Sequence, residues 1–205
     1  MTIPPYIAES QDEFSELEAE LQQQIHTSAR LPDWPFRAIS GFVTIYEYDR
    51  ILGSTFGTVL EALSDAYGDD TVTVIGLEPE MAYYRDEYSY FPGLRIARAS
   101  IRDGYGEGLR REPDGDPTGA LAYTVNVVGM VGASGVWSIW GQRDWEIGLL
   151  LTPDSSGRWL KAPVPWFDRE IDLDSIRSPS GWGLHLSDQE RSMFWQNVQD
   201  RGSGR

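Results

Sequence analysis

Apolar positions recur along this chain in two distinct periods. Phe14, Leu17, Leu21 and Ile25 return every three or four residues behind Ser10 and Glu13, a Ser-x-x-Glu capping box. That spacing predicts an amphipathic helix over residues 11–29. Phe56, Val59, Leu60, Leu63 and Tyr67 form a second helical stripe within residues 54–68, and Gly68 suits a left-handed helix end. Residues 41–49 and 71–77 are rich in β-branched and aromatic side chains and predict strands. Pro79 suits the first position of a helix running into the tyrosine-rich segment with Tyr83, Tyr84, Tyr88 and Tyr90. Residues 94–102 fit either state: Arg95, Arg98 and Arg102 have helical spacing, while Pro92-Gly93 and β-branched neighbours permit a strand. Residues 103–119 hold turn formers without periodicity and predict a long loop.

From Leu121 onward, short apolar runs at 121–131, 135–141, 144–151 and 157–162 are separated by glycine or proline turns. Connections this short predict an antiparallel meander, since parallel crossovers need more chain. Ser187 and Glu190 make a second capping box before Met193, Phe194, Trp195 and Val198, so the chain returns to helix, with 201–205 as a disordered tail. The predicted fold class is α+β: an antiparallel sheet of about five to six strands flanked by N-terminal, central and C-terminal helices, in a single globular domain over 1–200. Within Ser134–Leu151, a turn centred on Gln142-Arg143 pairs Trp140 with Trp145, Ser138 with Ile147 and Val136 with Leu149, and lays Trp137 over Gly148. The tryptophans are then core. Gln142, Arg143 and Asp144 at the tip, with Glu146 beside them, become candidate partner-binding residues.

Charge changes the functional picture more than the fold. A net charge of −15, from 32 acidic and 17 basic residues, argues against nonspecific binding to nucleic acid or to an anionic membrane. A basic protein partner is favoured instead, although acidity also serves solubility alone. The outer face of the first helix carries Asp12, Glu13, Glu16, Glu18 and Glu20 with no basic residue before Arg30. Such a face is by default solvated; as a docking surface it would use Glu13, Glu16 and Glu20. No apolar run reaches ~18 residues and the start lacks a signal-peptide pattern, so the expected location is cytoplasmic. The oligomeric state is left open.

Reactive chemistry is thin. The chain has no cysteine, and His26 and His185 lie far apart outside any ligand motif, so neither metal nor cofactor is expected. Gly104–Gly108 lacks the spacing of a phosphate loop, and the surroundings of Ser134 fail the G-x-S-x-G nucleophile elbow. Carboxylate pairs need no signature, which leaves Glu78 with Glu80 and Asp144 with Glu146 as candidates for a small carboxylate-dependent hydrolase.

The stretches "GLEPEMAYYRDEYSYFPGLRI" and "SGVWSIWGQRDWEIGLLL" resemble a group of uncharacterised actinobacterial proteins similar to the immunity-type proteins of polymorphic toxins. The resemblance spans about residues 76–151, and its most specific part is the Trp-x-x-Trp-Gly-x-Arg-Asp-Trp-Glu hairpin. The chain departs from that pattern at Glu78, where Asp is expected, and at Phe91-Pro92 in place of Tyr-Pro. The resemblance implies a protein-binding role and transfers no catalytic residue. The expected function is therefore an acidic protein-binding protein of the immunity type. A carboxylate-dependent hydrolase and an assembly subunit using exposed tyrosines are the alternatives.

Overall fold

A computed structural model describes residues 5–155 and 186–202. Its strands are β1 (Tyr6–Ile7), β2 (Phe42–Glu47), β3 (Thr71–Glu78), β4 (Gly93–Ala97), β5 (Val127–Gly132), β6 (Ser138–Gln142) and β7 (Ile147–Thr152). They form one antiparallel sheet of order β1-β4-β3-β5-β6-β7-β2. Five to six strands were expected and seven are found, because the two-residue edge β1 is too short for any periodicity and β4 sits in the ambiguous arginine segment. The run at 157–162 lies outside the described residues.

Side chains alternate along each strand, and both faces of the sheet are covered. One face carries α1 (Gln11–Gln22), the Leu31–Phe36 segment and the C-terminal helix. Its core includes Leu17, Leu21, Trp34, Ile75, Trp140, Leu149 and Phe194. The other face carries α2 (Tyr48–Ile51), α3 (Gly57–Tyr67), α4 (Met81–Tyr88), α5 (Ile101–Leu109) and α6 (Leu121–Thr124). Val74, Leu94, Met130, Trp137, Ile139 and Leu150 point into that second core. Burial on both sides explains why β5, β6 and β7 have no exposed position. An antiparallel sheet more often leaves one face to solvent.

Both capping boxes form. Ser10 Oγ accepts from Glu13 N while the Glu13 carboxylate accepts from Ser10 N, and Ser187 with Glu190 repeats the arrangement. The second box opens α7 (Asp188–Gly202), whose Phe194 and Val198 are buried. Arg201 and Gly202 are therefore helical rather than part of a tail, and Arg201 lies over the Trp34 ring. α1 ends at Gln22, short of residue 29, because Ile25 leaves the helix to bridge Phe36, with His26 N donating to Pro35 O. Pro79 stands outside α4, whose N-cap position Glu80 occupies without a side-chain bond.

The expected loop at 103–119 is the largest correction. Residues 101–109 are helical and two 3-10 turns follow at Pro113–Gly115 and Pro117–Gly119. Glycine disfavours helix by roughly 1 kcal/mol per residue, yet here it permits close approach. A Cβ on Gly106 would lie 2.6 Å from Ser54 Cβ, and one on Gly108 3.2 Å from Leu94. Leu121–Thr124, expected as strand, is likewise a helical turn.

Candidate functional site

The hairpin tip is built differently from its expected form. Observed pairs are Ser138 with Leu151, Trp140 with Leu149, Gly141 with Gly148 and Gln142 with Ile147. The register differs by four residues because Arg143–Trp145 closes as a 3-10 turn and Glu146 takes left-handed backbone, φ 54°. An even shift keeps every side chain on its expected face, so the tryptophans remain core. Trp137, however, does not cover Gly148: Ile51 fills the space over Gly148, and Trp137 Nε1 donates to Asp69.

Of the four tip residues, two point inward. Gln142 is buried and its Oε1 accepts from Leu31 N at 2.9 Å. Arg143 is half-buried, donating from Nε and Nη2 to Val125 O at 3.0 and 2.8 Å and from Nη2 to Tyr123 O at 3.3 Å. Its guanidinium carbon stands 5.2 Å from the centre of the Tyr48 ring. The Tyr48 hydroxyl donates to the same Val125 carbonyl at 2.7 Å, and burial pushes that phenol upward while Arg143 opposes the shift. Asp144 and Glu146 are exposed on the turn. Gln142 and Arg143, expected to be free at the tip, are instead engaged within the fold, Gln142 by the Leu31 amide and Arg143 by the carbonyls of Val125 and Tyr123.

On α1 the three candidate glutamates also separate. Glu13 accepts from Glu9 N at 2.7 Å and Ser10 N at 3.1 Å. A hydrogen bond from the Tyr6 phenol holds its carboxyl below the usual range and pushes Tyr6 up to about 12. Glu20 accepts from Thr73 Oγ1 at 2.8 Å and pairs with Arg95, tying the helix to the sheet. Glu16 is exposed, one turn from exposed Asp12.

Neither carboxylate pair lines either cavity described below. Glu78 is paired with Arg30 at 2.9 Å while Glu80 is exposed at the α4 cap, and Asp144 and Glu146 sit on a solvated turn. Among the described residues no group of three or more His, Asp or Glu is placed to hold a metal ion. No helix among them is long and apolar enough to cross a membrane. His26 is exposed, and His185 lies outside the described residues.

Two features escaped sequence reasoning. Asp69 is fully buried, accepting from Trp137 Nε1 at 2.7 Å and Ser134 N at 2.6 Å. Aspartate at a helix end reads as surface, and only the approach of the β5–β6 turn reveals otherwise. The second is a cavity of about 190 Å³ between β1, the α4–β4 turn and the end of α5. Tyr88, Tyr90, Leu94 and Leu121 wall it, and the exposed Glu9, Arg111 and Glu112 stand around it. The tyrosines pack edge to face, Tyr83 on Tyr88 at 5.9 Å and Tyr84 on Tyr90 at 5.5 Å. Burial pushes Tyr84 up to about 12 and Tyr90 higher. The crowding of tyrosines was a usable signal; their common cavity was not, because Arg111 and Ile7 come from distant parts of the chain. No protein-family model, curated protein or solved structure matches this chain.

Proposed function

We propose that this chain acts by binding a basic protein through the outer face of α1; the resemblance to immunity-type proteins implies a protein-binding role, and charge points to α1. One observation carries the reading. Several surface arginines are matched to carboxylates: Arg30 with Glu78, Arg50 with Glu47, Arg85 with Asp86, Arg98 with Asp65 and Arg102 with Glu61. Asp12 and Glu16 on α1, with Glu18 on its flank, meet no cation among the described residues. Their field adds to a net charge of −15 and would steer a cationic partner during encounter. The apolar face of α1 is fully used against the sheet, so the contribution of this helix to a partner is electrostatic.

The test is co-purification from the native source at low and high salt, comparing the wild-type chain with an Asp12→Ala/Glu16→Ala/Glu18→Ala variant. A stoichiometric basic protein that is retained at low salt and lost with either change supports the reading, because screening weakens exposed charge pairs. Retention of nothing, or of a protein indifferent to both salt and the triple variant, refutes it.

A further inference from the structure

Arg111 is exposed and, like Arg37 and Arg110, forms no ion pair among the described residues. It lines the 190 Å³ cavity together with Glu9 and Glu112, yet no ion pair joins it to either carboxylate. One guanidinium and two carboxylates thus line the same space as two tyrosines and several aliphatic side chains. The volume equals that of about six liquid waters at ~30 Å³ each. Sites for larger cofactors and drug-sized ligands run to about 300–1,000 Å³, so the part of an occupant lying against the tyrosines is of side-chain size, while Arg111 and Glu112 also border an adjoining cavity of about 690 Å³.

The wall is fixed by tertiary contacts rather than left adjustable. Tyr90 donates its hydroxyl to Gly119 O at 2.8 Å, spending its polar tip and leaving the ring as surface. A Cβ at Gly119 would lie 2.6 Å from Tyr88 Cδ1, so the turn over Pro113–Gly119 presses directly on the second ring. A cavity with preset aromatic walls and both signs of charge at its exposed edge matches a ligand that is apolar at one end and bipolar at the other.

We propose that this cavity binds a free apolar α-amino acid. The ligand carboxylate meets Arg111, the ammonium meets Glu9 and Glu112, and the side chain lies against Tyr88 and Tyr90. A carboxylate suits guanidinium by paired N–H donors, and an ammonium near tyrosine faces gains from the ring quadrupole. The site is separate from the acidic face of α1 and stands or falls without it.

Calorimetric titration of the full chain with L-phenylalanine and L-leucine tests the proposal, with 3-phenylpropionate and phenethylamine as probes bearing only one of the two charges. The expected result is saturable binding of at least one amino acid, with each single-charge analogue weaker by about tenfold or more. Arg111→Gln should weaken amino-acid binding by about tenfold or more, the loss of one charge-assisted contact. Its melting temperature should stay at the wild-type value, because the side chain is exposed. Gly119→Ala, which displaces the Tyr88 ring, should weaken leucine and phenylalanine alike. No saturable binding of either amino acid, analogues as tight as the amino acid, or an unaffected Arg111→Gln variant overturns the assignment.

Discussion

Replacing Arg143 with alanine tests whether the hairpin tip is structural. Three hydrogen bonds and one ring contact are lost: two to Val125 O, one to Tyr123 O, and the guanidinium over Tyr48. The Val125 carbonyl keeps a donor, since the Tyr48 hydroxyl remains 2.7 Å away. The arginine is only half-buried, so its bonds compete with water in the folded protein and their net worth is modest. A net cost of about 1–2 kcal/mol follows from one or two modest hydrogen bonds and a ~0.5–1 kcal/mol cation–π contact. For a chain of this size that lowers the melting temperature by about 2–8 °C. Tyr48→Phe alone should cost ~1 kcal/mol, because Arg143 still serves the carbonyl. With both changes Val125 O loses every side-chain donor and stays beneath the turn. The double variant should therefore exceed the sum of the single ones by ~1 kcal/mol, as expected of partners sharing one acceptor. Urea unfolding of the four proteins measures this. An Arg143→Ala cost within ~0.5 kcal/mol of zero, as for an ordinary surface site, or a cycle that closes additively, would refute the reasoning.

Three further outcomes follow from the same contacts. Asp69→Asn keeps one acceptor oxygen but turns an amide donor toward either Trp137 Nε1 or Ser134 N, so stability in urea should fall by about 1–3 kcal/mol, and an unchanged midpoint would deny the buried bond its role. Gly148→Ala would place a Cβ 2.6 Å from Ile51 Cγ2 and should cost about 1–3 kcal/mol by overpacking; a wild-type thermal melt would contradict that approach. Burial holds Tyr48, Tyr90 and Tyr105 protonated above the usual phenol range and pushes Tyr84 to about 12, while the bond to Glu13 brings Tyr6 to about 12. Raised folded values mean their contribution is full below about pH 10, the unfolded phenol value, and is lost as pH rises through the folded ones. Phenolate absorbance of the buried tyrosines should then appear together with loss of structure, and ionisation of all ten tyrosines near pH 10 with the fold intact would be the contrary result. At the acid end Glu13 contributes above the ordinary carboxylate value and ceases to as pH falls through its lowered one, an effect that Tyr6→Phe should reduce.

Local signals survived folding where their energetics are local. Ser10 with Glu13 and Ser187 with Glu190 close their boxes within four residues of chain, and Gly68 takes φ 74° at the end of α3. β3 and β5–β7 were legible because strands buried on both faces read as short, nearly continuous apolar and β-branched runs between turn residues. Candidate partner residues fared less well. Glu13 and Glu20 are spent on a cap and on Arg95, and Gln142 and Arg143 fold back onto backbone groups of residues 31 and 123–125. Polarity at a turn signals exposure only when no buried carbonyl or amide needs a partner.

Sequence by itself determined the alternation of helix and strand, both capped helices, the antiparallel sheet and the acidic surface of α1, since each depends on spacing or charge along a short span. Tertiary structure alone decided the register of β6 on β7, the helix through Gly104, Gly106 and Gly108, the burial of Asp69, and the cavity between Tyr88, Tyr90 and Arg111. The reason is common to all four. Each depends on how closely a second, distant segment approaches: Ile51 over Gly141 and Gly148, Ser54 against Gly106, the β5–β6 turn against Asp69, and β1 beside the end of α5. Such close approaches outweigh a local preference of about 1 kcal/mol, and no short span of sequence carries them.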